Sequence, residues 1–271
     1  MDAVFAVAFP TDCLLCKGEL ATAARLRICP ACWAGLDAWR GPVCARCSLP
    51  FASSRALDSS VGECGACRND DPAFDAARTF ALYTGNLRRV ILRLKFGENE
   101  RMGAFLGELL VPAFTSLPQL DEPASVLIVP VPLHPSRRRE RGFNQSELLA
   151  EGLVRGLRKQ SREAAPKIAK SCLRRTRLTA PQTGLSVGAR RENLRGAFAV
   201  PNPNEVRGRV IVLVDDVMTT GATLSACARA MKRAGARRVL GLALARATPQ
   251  FPDLDVYRAD NPVDVNGGES R

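Results

Sequence analysis

The stretch from Val210 to Leu224 has the sequence VIVLVDDVMTTGATL and decides the fold class of the chain. Its first five residues are continuously apolar and mostly β-branched, as in a strand that is covered on both faces of a parallel sheet. Two adjacent carboxylates follow, Asp215 and Asp216, which we call the acid pair. A loop with hydroxyl groups and a glycine comes next. This order predicts a buried strand, a polar loop and then a helix.

Apolar residues on either side of this stretch extend the same pattern. Downstream, four apolar residues with the spacing of one helix face end at Gly235, and an apolar strand at 239–244 completes a strand–helix–strand unit. A second unit has a strand at 126–131 and a helix at 145–159, and helices are also predicted at 87–96 and 102–114. The sequence therefore predicts an α/β fold, with a parallel sheet flanked by helices. The four residues of the helix face are Leu224, Cys227, Ala228 and Met231.

The loop after the acid pair has the composition of a phosphate site. Backbone N–H groups at the start of a helix and the positive end of the helix dipole attract an anion. Gly221 permits close approach of the backbone, and three threonine hydroxyls can donate hydrogen bonds. We call this segment the phosphate loop, and its predicted ligand-binding residues are Thr219, Thr220, Gly221, Ala222 and Thr223.

The acid pair indicates what accompanies the phosphate. Asp215 and Asp216 would repel a bare phosphate, but they suit neighbouring sugar hydroxyls or the water shell of a magnesium ion. Ligands of open α/β sheets bind at this carboxyl edge. The combination predicts a ribose phosphate. The alternative is a capped helix after two solvated aspartates, which is disfavoured because two carboxylates at a buried strand end cost stability.

Residues 1 to 70 contain eight of the ten cysteines, arranged as four C-x-x-C pairs. This spacing turns two thiolates toward one metal ion, so four pairs form two tetrahedral sulfur sites, for which zinc is favoured. Such sites have no open coordination position, so both are predicted to be structural. Redox dithiols or an iron–sulfur cluster are the alternatives, and the first pair could join the second or the third. The predicted ligands are Cys13, Cys16, Cys29, Cys32, Cys44, Cys47, Cys64 and Cys67.

Composition narrows the class of protein. The 271 residues carry a formal net charge of +12, which favours polyanionic partners such as nucleic acid or phosphorylated small molecules. A single histidine, His134, excludes a multi-histidine metal site and a Ser-His-Asp triad. No stretch approaches the ~20 apolar residues of a membrane span, and the apolar start lacks the basic residues of a signal peptide. We expect a cytoplasmic protein with no membrane span, whose cysteines bind metal rather than form disulfides.

The stretch from Val212 to Leu224 resembles the phosphoribosyl pyrophosphate signature of type I phosphoribosyltransferases. In that family the paired acids hold the ribose 2′ and 3′ hydroxyls, and the loop wraps the 5′-phosphate. Further segments resemble the ComF/GntX family, which often begins with a double zinc ribbon. The resemblance implies binding of phosphoribosyl pyrophosphate with Mg²⁺ and a role in competence, the uptake and use of exogenous DNA. The segments are Tyr83–Gly85 with Arg88, Ile91 and Lys95; Val129–Leu133; Arg141–Gln145; Thr179–Gln182; and Arg190, Asn193 and Ala197–Phe198.

Two basic segments are predicted to border the phosphate site. A proline-rich strand end followed by arginines at 137–139 and 141 suits a pyrophosphate, because arginine offers bidentate contacts; a solvated basic loop is the alternative. The residues of this pyrophosphate loop are Val131, Pro132, Leu133 and Arg141. The stretch 174–195 is interpreted as a hood over the site, or as a purely structural excursion. The hood candidates are Arg175, Thr179, Gln182, Arg190 and Asn193.

These features divide the chain into a double zinc ribbon at 1–70, a phosphoribosyltransferase-like α/β domain at 76–248 and a flexible C-terminal tail at 249–271. If the protein is an enzyme, it displaces pyrophosphate at the anomeric carbon of ribose, with metal ion and arginines stabilising the leaving group. The alternatives are a non-catalytic ribose-phosphate sensor, a single-stranded-DNA-binding accessory protein that contacts DNA-uptake proteins, and a zinc-stabilised scaffold with a relic site. No motif names an acceptor or a general base.

Overall fold

The protein is described by a computed structural model over seven segments of the chain. These are residues 11–20, 26–51, 62–95, 100–118, 126–160, 165–177 and 187–248. The predicted C-terminal tail at 249–271 lies outside the described residues. Within the seven segments, no helix is long and apolar enough to cross a membrane.

Short elements joined by turns make up the N-terminal part of the chain. β1 (Thr11–Asp12) and β2 (Glu19–Leu20) form an antiparallel pair. Two short helices follow, α1 (Pro30–Ala34) and α2 (Gly65–Asp70). Turns between cysteine pairs, rather than apolar periodicity, organise this region.

A five-stranded parallel sheet forms the centre of the protein, which confirms the predicted fold class. Alternate residues of its central strand are buried in two different cores. Val212 lies in the first core, whereas Ile211 and Leu213 lie in the second. This two-sided burial explains why the stretch is continuously apolar. The strands are β3 (Ala76–Leu82), β4 (Leu127–Pro130), β5 (Lys167–Ile168), β8 (Val210–Met218) and β9 (Arg238–Arg246), in the spatial order β3-β9-β8-β4-β5, and a separate antiparallel pair consists of β6 (Arg174–Arg175) and β7 (Phe198–Ala199).

The strand β8 is longer than predicted and includes the acid pair. The prediction ended it at Val214, but its pairing with β9 continues to Met218, which lies opposite Arg246. On its other side, β4 pairs with β8 only as far as Val214. Among the described residues, the acid pair therefore has a neighbouring strand on one side only, at the edge where parallel sheets bind ligands.

Helices pack against both cores of the sheet. The first core contains residues of the helices between 85 and 115 and of the helix at 145–160, and the second contains residues of the helices at 187–194 and 222–233. The helix predicted at 102–114 is two helices, because Pro112 lacks the N–H group that would continue the first one. The helices are α3 (Gly85–Lys95), α4 (Glu100–Glu108), α5 (Val111–Thr115), α6 (Pro135–Arg141), α7 (Gln145–Gln160), α8 (Val187–Leu194) and α9 (Ala222–Arg233), with a 3₁₀ turn at Pro203–Glu205.

Candidate functional site

The carboxyl ends of β4 and β8 bring several predicted segments to one edge of the sheet. The Val131 N–H donates to the Val214 carbonyl at 2.9 Å, so the loop after β4 lies beside the acid pair. The start of α7 reaches the same point, since Ser146 Oγ donates to Asp215 Oδ1 at 3.2 Å. Asn144 fastens these parts together, because its Nδ2 donates to the Val131 carbonyl at 3.1 Å and its Oδ1 accepts the Ser146 N–H at 3.1 Å.

The two carboxylates of the acid pair have different surroundings. Burial and the charge of Asp216 raise the pKa of Asp215 to about 7, so this carboxyl exchanges its proton near neutral pH. Asp216 is 5% exposed, and its Oδ2 lies 3.2 Å from Lys95 Nζ. Burial alone would lower the pKa of Lys95, but the charges of Asp216, Tyr83 and Asp215 raise it overall. The lysine therefore stays protonated and partly neutralises the acid pair.

The phosphate loop leads from β8 directly into α9. Gly221 caps this helix with a φ of 76°, a left-handed conformation that favours glycine. Thr219 and Thr220 are exposed and Thr223 is half-buried, whereas Ala222 is buried. The first N–H groups of a helix lack intrahelical acceptors and lie at the positive end of its dipole. The loop and the helix start thus offer an anion site next to the acid pair.

Arg246, the last residue of β9, holds the phosphate loop and is 5% exposed. Its Nη1 donates to the carbonyls of Met218 and Ala247, each at 3.0 Å, and to the carbonyl of Thr219. Its Nε donates to the Cys47 carbonyl at 3.2 Å, and its Nη2 lies 3.8 Å from Cys47 Sγ. One buried guanidinium therefore contacts both the phosphate loop and a predicted zinc ligand.

The basic part of the predicted pyrophosphate loop is helical, since α6 begins four residues after Val131. His134 caps this helix, which accounts for the single histidine without assigning it chemistry. Arg138 Nη1 lies 2.8 Å from Glu147 Oε1, and Arg141 Nη1 donates to Gln145 Oε1 at 3.2 Å. These contacts attach the basic segment to the start of α7. Among the assigned residues, Val131 is buried and Pro132, Leu133 and Arg141 are half-buried.

The hood residue Arg175 lies on β6, and its guanidinium interacts electrostatically with Arg137 and with Asp215. Its guanidinium carbon lies 5.5 Å from the centroid of the Phe198 ring. Burial lowers the pKa of Arg175, the charge of Arg137 lowers it further, and the charge of Asp215 opposes the shift. Arg175 is therefore within electrostatic range of both the pyrophosphate loop and the acid pair.

The other hood candidates are only partly described. Asn193 lies on α8, and its carbonyl accepts a hydrogen bond from Arg177 Nη2 at 2.8 Å, which ties the helix to the strand segment before it. Arg190 also lies on α8, but its side chain is outside the described part of the structure. Thr179 and Gln182 lie outside the described residues.

The eight paired cysteines form two separate clusters, each built from consecutive pairs. The crossed arrangement of the first pair with the third does not occur. Within each cluster the Sγ atoms lie within 4.8 Å of one another, with 3.7 Å between Cys16 and Cys29 and 3.7 Å between Cys47 and Cys64. Four thiolates around zinc at about 2.3 Å have sulfur–sulfur edges of about 3.8 Å, so both clusters fit that ion. Cluster 1 is Cys13, Cys16, Cys29 and Cys32, and cluster 2 is Cys44, Cys47, Cys64 and Cys67.

Crowding among the thiols of cluster 2 also favours a metal ion. Hydrogen bonding with Cys47 and Cys67 holds the pKa of the Cys44 thiol well below its ordinary value, and hydrogen bonding with Cys44 raises the pKa of Cys67. Backbone groups support the thiolates, since the Cys64 N–H donates to Cys44 Sγ at 3.2 Å. All four thiols can ionise together only beside a cation. A tetrahedral four-cysteine site is closed to further ligands, so its metal would be structural.

Three residues of this region were not assigned a role from the sequence. They are Lys95, Ser146 and Arg246, which approach the site from α3, α7 and β9. Lys95 ends α3 and Arg246 ends the apolar strand β9. A charged residue at the end of an apolar element is the signal that could have identified both. Nothing in the spacing of Ser146 distinguishes it from a helix-capping serine.

Comparison with known families identifies two regions of the chain. The double zinc ribbon domain matches residues 4–68, and the phosphoribosyl transferase domain matches residues 146–268. Both cysteine clusters lie in the first region. The acid pair and the phosphate loop lie in the second, whereas Lys95 and the pyrophosphate loop precede it.

Curated relatives cover most of the chain. Competence protein F of Haemophilus influenzae is 31% identical over 243 residues, which are 88% of this chain and 98% of that protein. The DNA utilization protein YhgH of Escherichia coli K12 is 35% identical over 236 residues, which are 85% of this chain and 94% of that protein. Competence protein ComFC of Bacillus subtilis is 27% identical over 237 residues, which are 82% of this chain and 89% of that protein.

Proposed function

The chain belongs to the ComF family of phosphoribosyltransferase-like proteins, and from this membership we propose that its sheet edge binds phosphoribosyl pyrophosphate with Mg²⁺ in support of DNA uptake or use. The observation that carries the proposal is the meeting of three groups at one edge. An acid pair, a helix start that attracts anions and a basic segment lie together at the carboxyl ends of β4 and β8. A ribose that carries phosphate at one end and pyrophosphate at the other has the matching chemistry.

Each end of this ligand has a counterpart in the chain. The phosphate loop and the start of α9 would hold the 5′-phosphate. Asp215 and Asp216 would accept hydrogen bonds from the ribose hydroxyls, with Lys95 limiting their mutual repulsion. The pyrophosphate would lie toward Pro132, Arg137 and the hood residue Arg175.

Magnesium suits this arrangement because the carboxylates of the acid pair and a pyrophosphate both supply hard oxygen ligands. When bound, the ion would neutralise charge on the pyrophosphate. The chain's own contribution is to position the sugar and to direct arginine charge toward the leaving group. If transfer occurs, the bond from the anomeric carbon to the pyrophosphate oxygen breaks and a bond to an acceptor forms.

Calorimetry with phosphoribosyl pyrophosphate and Mg²⁺ tests the binding proposal. Replacing both acids, Asp215→Asn with Asp216→Asn, should weaken binding by about tenfold or more, because two charged hydrogen-bond acceptors are lost. A control variant with the same charge change outside the site, Asp37→Asn with Glu151→Gln, should keep the affinity of the unmodified protein. Equal affinities in the two double variants would remove the acid pair from the site.

Release of pyrophosphate separates an enzyme from a binding protein. Under the enzymatic proposal, release depends on an added acceptor and disappears in the acid-pair double variant. Under the sensor proposal, the ligand binds and is recovered intact. A coupled pyrophosphate assay over candidate acceptors, such as nucleobases and amines, distinguishes the two.

A second candidate function is binding of single-stranded DNA as an accessory protein. A pocket of about 410 Å³ beside α8 and α9 favours it, because Arg195, Arg229 and Arg233 line the pocket together with Phe198. Clustered arginines suit the phosphates of a polyanion, whereas the Phe198 ring is buried and offers no free face to a base. Binding of a labelled oligonucleotide should fall steeply with salt, and neutralising Arg229 and Arg233 should flatten that slope. A slope that is unchanged in the variant contradicts this use of the pocket.

The zinc sites and the division of the chain belong to the same proposal. We expect two zinc ions per chain, one in each cluster, and elemental analysis of the purified protein measures them. A value of one or zero contradicts the two-site assignment. The boundaries at 70 and 76 and the tail at 249–271 remain predictions, which limited proteolysis would test.

A further inference from the structure

Arg246 joins cluster 2 to the phosphate loop through one buried side chain. The residue is 5% exposed, so its charge needs a compensating partner. Among the described residues, no carboxylate forms an ion pair with it, and the anionic group it approaches is Cys47 Sγ at 3.8 Å. With zinc bound, the four thiolates of cluster 2 outweigh the charge of one divalent ion. The metal-loaded cluster is therefore the counterion of this guanidinium.

The same guanidinium decides how the phosphate loop presents its backbone. It accepts no hydrogen bond and donates to the carbonyls of Met218 and Thr219. In a planar trans peptide unit the carbonyl and the following N–H point in opposite directions. With these carbonyls turned toward Arg246, the N–H groups of Thr219 and Thr220 point away from it. A loop that presents N–H groups is what a phosphate requires.

We propose that Arg246 is a positioning residue that couples the metal state of cluster 2 to ribose-phosphate binding. Metal in cluster 2 holds the guanidinium, and the guanidinium holds the phosphate loop in its anion-binding conformation. Loss of this metal releases the loop and weakens binding. The coupling rests on the proposed ribose-phosphate function, but its effect on the loop itself is independent of any ligand.

Cluster 1 offers a matched comparison because its contacts with the helix that carries Lys95 lie far from the site. Its nearest contacts of this kind run to α3, where Asn86 Nδ2 donates to the Cys32 carbonyl at 3.4 Å and Arg89 Nη1 to the Leu15 carbonyl at 3.4 Å. From Arg89 the helix continues about 9 Å to Lys95. Loss of metal from cluster 1 therefore leaves the contacts of Arg246 in place.

The first test compares Cys47→Ser with Cys16→Ser in the full chain, each removing one ligand from one cluster. Zinc content, amide hydrogen exchange at residues 218–223 without ligand, and calorimetric affinity for phosphoribosyl pyrophosphate with Mg²⁺ are measured. Cys47→Ser should speed exchange at 218–223 and weaken binding about tenfold, whereas Cys16→Ser should change the affinity less than about threefold. Equal effects of the two variants overturn the coupling.

A second variant, Arg246→Lys, tests the arginine itself and serves also where a cysteine variant does not fold. It keeps the positive charge but loses most of the hydrogen bonds. Coupling is reciprocal, so the ligand must strengthen metal binding at cluster 2. In the unmodified protein, phosphoribosyl pyrophosphate should slow the release of one of two zinc ions to a chromogenic chelator, and Arg246→Lys should abolish this slowing. The proposal is overturned if the unmodified protein binds phosphoribosyl pyrophosphate but its zinc release rate does not change. It is also overturned if the ligand still slows zinc release from Arg246→Lys.

These experiments also distinguish failure of the coupling from failure of the proposed ribose-phosphate function. If the unmodified protein does not bind phosphoribosyl pyrophosphate, the ribose-phosphate function fails. Hydrogen exchange at 218–223 then still decides the coupling, because it compares the two cysteine variants without any ligand. Faster exchange in Cys47→Ser alone supports the coupling, and equal exchange in both variants refutes it.

Discussion

Cluster 1 and cluster 2 share one local plan. In each, the first cysteine pair closes a hairpin turn, with the Cys13 N–H donating to the Gly18 carbonyl at 2.8 Å and the Cys44 N–H to the Leu49 carbonyl at 2.8 Å. The second pair begins a short helix, with Cys29 at the start of α1 and Cys64 at the start of α2. The two clusters are therefore local copies of the same metal-binding arrangement.

Their surroundings differ. Cluster 1 packs into the core that contains α3 and leaves Cys16 exposed, whereas all four cysteines of cluster 2 are buried in the core that contains α9. Cluster 2 is also bonded into the sheet, since Ser48 Oγ donates to the Ala77 carbonyl at 2.9 Å and the Ala77 N–H to the Arg46 carbonyl at 2.7 Å. The same motif thus folds a local ribbon in one place and supports the central sheet in the other.

The largest difference should appear when each cluster loses one ligand. Cys44→Ser should lower the free energy of unfolding by roughly 3–5 kcal/mol, because an unfilled cluster would lie within the sheet core. Cys16→Ser, at the exposed edge of cluster 1, should cost about 1–2 kcal/mol. Urea unfolding at matched zinc concentration measures both values. Equal losses would show that the two clusters contribute alike, contrary to the comparison.

The acid pair lies between α3, which contacts cluster 1, and the phosphate loop, which Arg246 connects to cluster 2. The titration of Asp215 should therefore be visible in the free energy of unfolding. Burial and Asp216 raise the pKa of Asp215 from its ordinary 3.8 to about 7. The folded state thus holds this proton more tightly than the unfolded chain, and the stabilisation is complete below about pH 4 and is lost as the pH rises through 7. Asp215→Asn should therefore raise the free energy of unfolding at pH 8 by roughly 2–4 kcal/mol.

Urea unfolding at pH 5 and pH 8 checks this sign. The gain from Asp215→Asn should be larger at pH 8, and the exposed control Asp37→Asn should show no comparable difference. A gain of the same size at both pH values would mean that Asp215 keeps an ordinary pKa.

A smaller effect distinguishes two glycines with positive φ, Gly221 in the phosphate loop and Gly85 at the start of α3. Gly221 has a φ of 76°, and a Cβ there would lie 2.8 Å from Met218 Cε, whereas Gly85 has a φ of 49° and open space around it. Gly85→Ala should cost about 1 kcal/mol for its backbone conformation alone. Gly221→Ala should cost about 1–2 kcal/mol, since Met218 must also move, and it should weaken phosphate binding. Thermal unfolding of both variants measures the costs, and a larger cost at Gly85 would contradict this order.

Prediction from the sequence worked best where the signal was local. The two strand–loop–helix units, the helix at 145–159 and the four cysteine pairs were all identified, because spacing along a few residues determines them. It failed at element ends. β8 continues through the acid pair because β9 is long enough to pair with it, and the basic segment after β4 is helical because His134 caps it.

By itself, the sequence determined the kind of chemistry available at the site. An apolar strand, an acid pair and a threonine-rich loop before a helix specify an anion site next to carboxylates, and C-x-x-C spacing specifies thiolate pairs, since each depends on residues adjacent in the chain. Only the tertiary structure decided which distant residues complete them. Lys95 reaches Asp216 and Arg246 reaches Cys47 across more than a hundred residues, and such contacts depend on strand order and register, which no local pattern encodes.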